Sequence, residues 1–220
     1  MNIEQARFNM IEQQIRPWDV LDAGVLALLA VVKREDFVPA AHRALAFMDT
    51  EIPLGDVSEG QVMLAPRVEA RLLQELNVAR HEKVLEVGTG SGFMAALLGH
   101  KAQRVISTET DAALAEAAAA SLKRSGVMNV TVLNQDGAHG LASESPFDAI
   151  LLSGSVESVP EALLQQLKVG GRLAAIVGDE PVMRAQLFTR TNEKDFSIRI
   201  LFDTVAPRLQ GFARRNAFAF

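Results

Sequence analysis

The 220-residue chain has no cysteine and no tyrosine. The first absence excludes disulfides, thiolate nucleophiles and zinc sites built on cysteine. With tyrosine gone and only four histidines, His42, His81, His100 and His139, general acids and bases are scarce. His42 falls on an expected N-terminal helix, and His81 and His100 on solvent-exposed helix flanks. His139 alone comes near the segments singled out below. No apolar run approaches the ~20 residues of a membrane-spanning helix. The start, Met1-Asn2-Ile3-Glu4-Gln5, is acidic and amphipathic and lacks the basic and apolar regions of a secretory leader. A cytoplasmic location is the expectation. Basic charge is also in deficit: 22 Lys and Arg stand against 27 Asp and Glu, a net charge of −5. Nucleic-acid binders usually carry a basic excess on one face. The one dense basic spot, Arg214-Arg215 with Arg208 nearby, reads as a solvated tail.

What is present is a hydrophobic content of 49%, enough for a sizeable core in one α/β domain spanning residues 1–220. Residues 1–65 read as a helical extension with a loop, and residues 66–220 as the core. Ile3, Phe8, Ile11 and Ile15 at helical spacing predict one helix over 3–15, stopped by Pro17. Asp19 is the expected cap of the next helix, which carries Val20, Leu21, Val25, Leu28 and Leu29. Ala40 to Met48 suits a third short helix. Residues 49–66, with Pro53, Gly55, Gly60 and Pro66, suit a functional loop or short hairpin. Pro66 opens a helix lined by Val68, Leu72, Leu73 and Leu76 and ended by Asn77.

From Lys83 strands and helices alternate. Strands are expected from Lys83, over Arg104 to Glu109, Val130 to Leu133, Phe147 to Leu152 and Arg172 to Val177. Helices fall between them, one of them Ala112 to Ser125 with Gly126 as its C-cap. Gln186 to Thr189 and Ile198 to Phe202 close the chain as a hairpin or edge pair. This alternation means βαβ units and a mostly parallel, doubly wound sheet of Rossmann-like type.

The centre of the pattern is Lys83-Val84-Leu85-Glu86-Val87-Gly88-Thr89-Gly90-Ser91-Gly92-Phe93, a buried strand ending on alternating glycines. Glycine lets backbone approach a ligand closely, and a following helix presents free N–H groups to negative charge. The dinucleotide fingerprint would place its last glycine on Phe93, which counts against NAD. Glu109 follows Gly88 by 21 residues, near the offset at which a doubly wound fold brings a carboxylate to a ribose. Asp136-Gly137, after the third strand, faces the same crevice and can accept from an adenine amino group. Ser153-Gly154-Ser155, after the fourth, borders it too.

The run from Glu86 to Gly92 resembles motif I of S-adenosylmethionine (SAM) dependent methyltransferases. The whole chain resembles one family, the protein-L-isoaspartate O-methyltransferases. The resemblance is carried by Met10-Ile11-Glu12-Gln13-Gln14-Ile15, Arg34-Glu35-Asp36-Phe37-Val38-Pro39, the glycine loop, Asp136-Gly137 and Phe147-Asp148-Ala149-Ile150. The stretch Pro160-Glu161-Ala162-Leu163-Leu164-Gln165-Gln166-Leu167-Lys168-Val169-Gly170-Gly171-Arg172-Leu173 adds to it. It implies a seven-stranded methyltransferase sheet, SAM as methyl donor, and transfer to a carboxylate of damaged protein. Glu86, Gly88, Thr89, Gly90, Ser91 and Gly92 are then candidate cofactor residues. Glu109, Thr110, Asp136 and Gly137 complete the set, with no metal and no named catalytic acid or base. The implied partner is a protein or peptide substrate or a small acceptor, not nucleic acid or membrane, and the chain a monomer or weak dimer.

One stretch departs from the family, whose members usually carry a Gly-Gln-Thr-Ile-Ser-Gln-Pro-like loop with the serine on the isoaspartyl carboxylate. Here it reads Gly60-Gln61-Val62-Met63-Leu64-Ala65-Pro66, so the serine position is Leu64. Losing a hydroxyl donor to a charged acceptor removes roughly 1.5–3 kcal/mol, a 10–100-fold penalty. A different acceptor on the same fold, or SAM binding without catalysis, therefore stays open at this point. Val62, Met63 and Leu64 form either a greasy rim to the site or simple core packing. The apolar tail Asn216-Ala217-Phe218-Ala219-Phe220 either folds back on its own sheet or makes a dimer or docking contact.

Overall fold

A computed structural model describes residues 2–213; Arg214-Arg215 and the Asn216–Phe220 tail lie outside the described residues. The chain begins with α1 (Ile3–Asn9), capped by the Asn2 side chain, which accepts from the Gln5 amide at 3.2 Å. The helix then widens into a π segment over Met10–Ile15, where the Arg16 amide reaches back five residues to the Ile11 carbonyl. That wider turn puts Met10 and Ile15, five apart, on one buried face together with Ile11. Ile3 and Phe8, expected on the same stripe, are left 46% and 58% exposed. The uniform spacing expected over 3–15 fails because the helix changes its pitch midway.

Pro17 stops the helix as expected. Asp19 is not the next cap. It takes the left-handed conformation, φ 59°, that turns the chain after Trp18. The cap of α2 (Ala23–Val31) is Asp22, whose carboxylate accepts from the Val25 amide at 2.8 Å. The expected third helix is only a 3-10 turn, Ala40–Leu45, and another covers Arg34–Asp36. The 49–66 stretch holds a short hairpin of β1 (Ile52–Pro53) and β2 (Val62–Met63), with Ile52 opposite Met63. The helix α3 (Pro66–Leu76) follows and ends on Asn77 at φ 44°.

The main sheet has seven strands: β3 (Lys83–Val87), β4 (Arg104–Glu109), β5 (Val130–Asn134), β6 (Phe147–Val156), β7 (Leu167–Asp179), β8 (Val182–Arg190) and β9 (Phe196–Thr204). Their spatial order is β5-β4-β3-β6-β7-β8-β9, parallel from β5 through β7 and antiparallel beyond. Between them run α4 (Phe93–Lys101), α5 (Ala112–Arg124) and α6 (Glu161–Gln165). Val84, Ala149, Ala174 and Ile176 join a core with α3, α4 and the N-terminal helices. Leu85, Ile106, Ile150, Leu152 and Leu173 join a second core on the other side. Each such side chain contributes about 1.5–3 kcal/mol on burial. Strands covered on both faces read as near-continuous apolar runs, which is why β3 and β6 are legible in sequence.

The chain steps outward from β3 to β4 and β5, then returns to β6 on the other side of β3. That reversal opens a crevice at the carboxyl ends of β3 and β6, where ligands bind in sheets of this kind. No helix among the described residues is long and apolar enough to cross a membrane.

The two aspartates separate cleanly by experiment. Asp22→Ala should cost about 1 kcal/mol in denaturant unfolding, the ordinary value of an N-cap. Asp19→Gly, at a positive-φ residue, should be neutral or stabilising.

Candidate functional site

At the end of β3 the backbone turns through three left-handed glycines, Gly88 at φ 91°, Gly90 at 52° and Gly92 at 83°. The amides of Gly88 and Thr89 both donate to the Thr108 carbonyl, at 2.9 and 3.1 Å, which holds the loop against the end of β4. Glu109, the last residue of β4, is 9% exposed. Its Oε2 accepts from the Gly90 amide at 2.9 Å and its Oε1 from the Asp111 amide at 3.1 Å. Asp111 in turn caps α5 through the Leu114 amide, at 2.9 Å. Asp136 is exposed after β5, with Oδ1 on the Ala138 amide at 2.8 Å.

Gly88, Gly90, Glu109, Thr110, Asp136 and Gly137 line one crevice at the switch point. Glu86, Thr89 and Ser91 line a smaller cavity beneath Leu64, which shares Gly88, Gly90 and Ser153 with the crevice. Gly92 lines neither space. It is the N-cap of α4, and a Cβ there would stand 3.2 Å from that of Ala118, so its smallness serves helix packing. Ser153 borders both spaces, whereas Ser155 is fully buried and donates to the Ala206 carbonyl at 2.7 Å. The strand β6 runs on to Val156, and its alternation turns Ser155 toward the following chain rather than the ligand. His139 is exposed, and neither it nor any other histidine lines these spaces.

Glu86 is completely buried. It pairs in register with Ser107 on β4, whose hydroxyl donates to Oε2 at 2.6 Å, and Ser153 donates to Oε1 at 2.8 Å. Thr89 and Ser107 share a further hydroxyl bond of 2.6 Å. Burial pushes the Glu86 carboxyl up to about 8; the two serine hydroxyls pull it back, and the nearby Glu69 and Glu109 raise it. The group is therefore largely protonated near neutral pH in this state. Sequence reading missed Ser107; the signal was the hydroxyl pair Ser107-Thr108 between the apolar Val105-Ile106 and the terminal Glu109 of β4.

Two enclosing parts also escaped the sequence. The first is residues 205–212, which fold back over the end of β6. The Ser155 amide donates to the Pro207 carbonyl at 2.8 Å and the Leu209 amide to the Ser155 carbonyl at 2.9 Å. Leu209 presses into the crevice, its Cδ2 2.7 Å from where a Cβ on Gly88 would sit and 2.8 Å from one on Gly154. Gln210 donates to the Glu59 carboxylate at 3.1 Å and so ties this strap to the loop before β2. The second part is Arg34, which donates to the Leu64 carbonyl at 2.8 Å and ion-pairs with Glu69. Burial pushes the Glu69 carboxyl up, with Arg34 acting the other way. Met63 and Leu64, 2% and 6% exposed, belong to the hydrophobic core, so they pack inward; Val62 is half-buried.

The Glu86 carboxyl links stability to pH. Its folded-state value lies above the ordinary one, so its contribution is full below about pH 4.5 and is lost as pH rises toward about 8. Glu86→Gln keeps the neutral form at every pH. The stability of the native chain relative to this variant should fall by roughly 1 kcal/mol per pH unit across that window. Denaturant unfolding of both proteins at pH 5, 6.5 and 8 measures it; parallel curves would contradict the assignment.

The family model of the protein-L-isoaspartate(D-aspartate) O-methyltransferases matches residues 5–206. A protein-L-isoaspartate O-methyltransferase of Koribacter versatilis is 40% identical over 184 residues, 84% of this chain and 81% of that protein. One from Rhodopseudomonas palustris is 40% identical over 195 residues, 88% of each chain. Among solved structures, one from Plasmodium falciparum, described as a protein-L-isoaspartate O-methyltransferase in complex with S-adenosyl-L-homocysteine, superposes with a TM-score of 0.77. It covers 96% of this chain and 99% of its own at 21% identity, a likeness of fold alone. With the match spanning nearly the whole sequence, the chain belongs to the protein-L-isoaspartate(D-aspartate) O-methyltransferase family.

Proposed function

We propose that this chain is a SAM-dependent O-methyltransferase that esterifies a carboxylate of damaged protein, the L-isoaspartyl side of the family's substrate. The observation that carries the reading is the Glu109 carboxylate, held in the switch-point crevice by the Gly90 and Asp111 amides, with Asp136 across from it. The donor set suits the cofactor. Glu109 has lone pairs left for ribose hydroxyls, and the carboxylate of the exposed Asp136 can accept from an adenine amino group. Gly88 and Gly90 present backbone without a Cβ, and Glu86 lies below them in the adjoining cavity. When bound, SAM supplies an electrophilic methyl group.

The chain's own part is then positioning and enclosure. A carboxylate acceptor with a reference pKa near 4 is already ionised at neutral pH and needs no general base. The absence of histidine from the crevice fits that chemistry. In-line alignment is worth up to ~7–11 kcal/mol in favourable cases. The strap through Leu209 and Gln210 lines one side of the crevice. At the acceptor side the family's serine is replaced by Leu64, whose side chain packs inward. The hydroxyls that line the small cavity belong to Thr89, Ser91 and Ser153. Ser153 lies on the wall shared with the crevice, but its hydroxyl already donates to Glu86 at 2.8 Å.

The test is transfer of labelled methyl from SAM to a peptide containing L-isoaspartate and to the same peptide with ordinary aspartate. Base-labile label on the first alone is expected. Label on neither, with small carboxylates or extract components labelled instead, would assign the fold to another acceptor. No label anywhere despite SAM binding would make it a binding protein. Glu109→Gln should raise the SAM dissociation constant about 10–100-fold by calorimetry, the loss of one or two charged hydrogen bonds.

A further inference from the structure

Among the buried charges that this chemistry leaves unused, Arg34 is the most enclosed, at 1% exposure. It stands in the 3-10 turn Arg34–Asp36 of the N-terminal extension, yet its side chain leaves that extension. Nη1 ion-pairs with Glu69, in the first turn of α3 and 4% exposed. Nη2 donates to the Leu64 carbonyl at 2.8 Å. The guanidinium lies over the Phe93 ring, with Cζ 5.1 Å from the centroid. Phe93 opens α4 directly after the glycine loop and meets Phe37 edge-on at 5.6 Å. One cation therefore touches the loop after β2, the start of α3 and the start of α4. These same three elements supply Leu64, Glu69 and Met94 to the cavity that adjoins the crevice through Ser153.

The loop gives Arg34 leverage. Its own side chains at Val62, Met63 and Leu64 are apolar and make no polar bonds that would fix its path. The hairpin behind it has only two residue pairs, Ile52 with Met63 and Pro53 with Val62. Past Met63 the backbone is held by Arg34 at the Leu64 carbonyl and by the Val68 and Glu69 amides at the Ala65 carbonyl. A buried guanidinium is expensive to desolvate, and an apolar replacement of a buried ion pair is often neutral or stabilising. Stability alone is thus a weak reason for this arrangement.

We propose that Arg34 is a positioning residue for the methyl acceptor: its planar fork locks the Leu64 carbonyl to Glu69 and so sets the distance between the acceptor loop and the glycine loop. The proposal rests on the methyltransferase reading above. Displacements of about 1 Å at a distance from the reacting atoms can cost 10²-fold in rate. Lysine retains the charge for Glu69 but has no planar fork to hold both partners at once.

The experiment compares the native chain with Arg34→Lys in the full-length protein. Calorimetry gives the SAM dissociation constant, and steady-state transfer to an isoaspartyl peptide gives kcat and KM for each substrate. The expected result is SAM affinity within threefold of native and kcat/KM for the peptide lowered 10–100-fold. The paired variant Arg34→Met with Glu69→Gln leaves neither of these two charges unpaired and should show the same split, so the question survives if one variant fails to fold. Native peptide kinetics in Arg34→Lys would overturn the proposal, as would parallel losses in SAM and peptide parameters in either variant. Failure of the native chain to methylate the peptide would strike the parent reading instead, before any variant is compared.

Discussion

The amide of Gly90 donates to the carboxylate of Glu109, and the rest of the site is arranged around that bond. A loop that passes through three left-handed residues turns its amides away from any regular partner. Two of them find the Thr108 carbonyl, and Gly90 finds Glu109. The same bond draws a carboxylate out of solvent and fixes it over the crevice at the point where the sheet reverses its strand order. Local satisfaction of the backbone and presentation of a ligand group are thus one interaction.

That arrangement crowds three carboxyl groups together. Glu69, Glu86 and Glu109 are all buried near the glycine loop. Each is handled by a different means. Glu109 accepts backbone amides, Glu69 faces the guanidinium of Arg34, and Glu86 sits among hydroxyls and stays largely protonated, its carboxyl pushed up to about 8. An environment rich in buried acid suits a cationic methyl donor, because its positive charge offsets the repulsion on arrival.

Enclosure comes from the two ends of the described chain. The N-terminal extension reaches the acceptor loop through Arg34, and residues 205–212 lie over the crevice through Leu209 and Gln210. The Gln210–Glu59 bond joins this cover to the loop leading into β2.

From residues alone, the alternating elements from Lys83 onward, the glycine loop, and the acids after β4 and β5 were legible. Apolar runs, glycines and capping acids are signals that act over a few residues. By the same token, the change of helix pitch at Met10, the choice of Asp22 over Asp19 as cap, and the inward turn of Ser155 were not, because each is set by what the chain packs against. Arg34 entered the sequence reading only within the run Arg34 to Pro39 that carries the family resemblance; its partner Glu69 lies 35 positions away and only folding brings them together. Leu209 sits in a segment with no periodic pattern, and its place over Gly88 follows from bonds to Ser155 more than fifty residues earlier. Local periodicity and turn chemistry were enough to read the sheet, the crevice and the acids at the strand ends. Which buried charges are paired, which carboxyl stays neutral and what covers the site were decided by tertiary structure, since desolvation and long-range contact exist only once the chain has closed on itself.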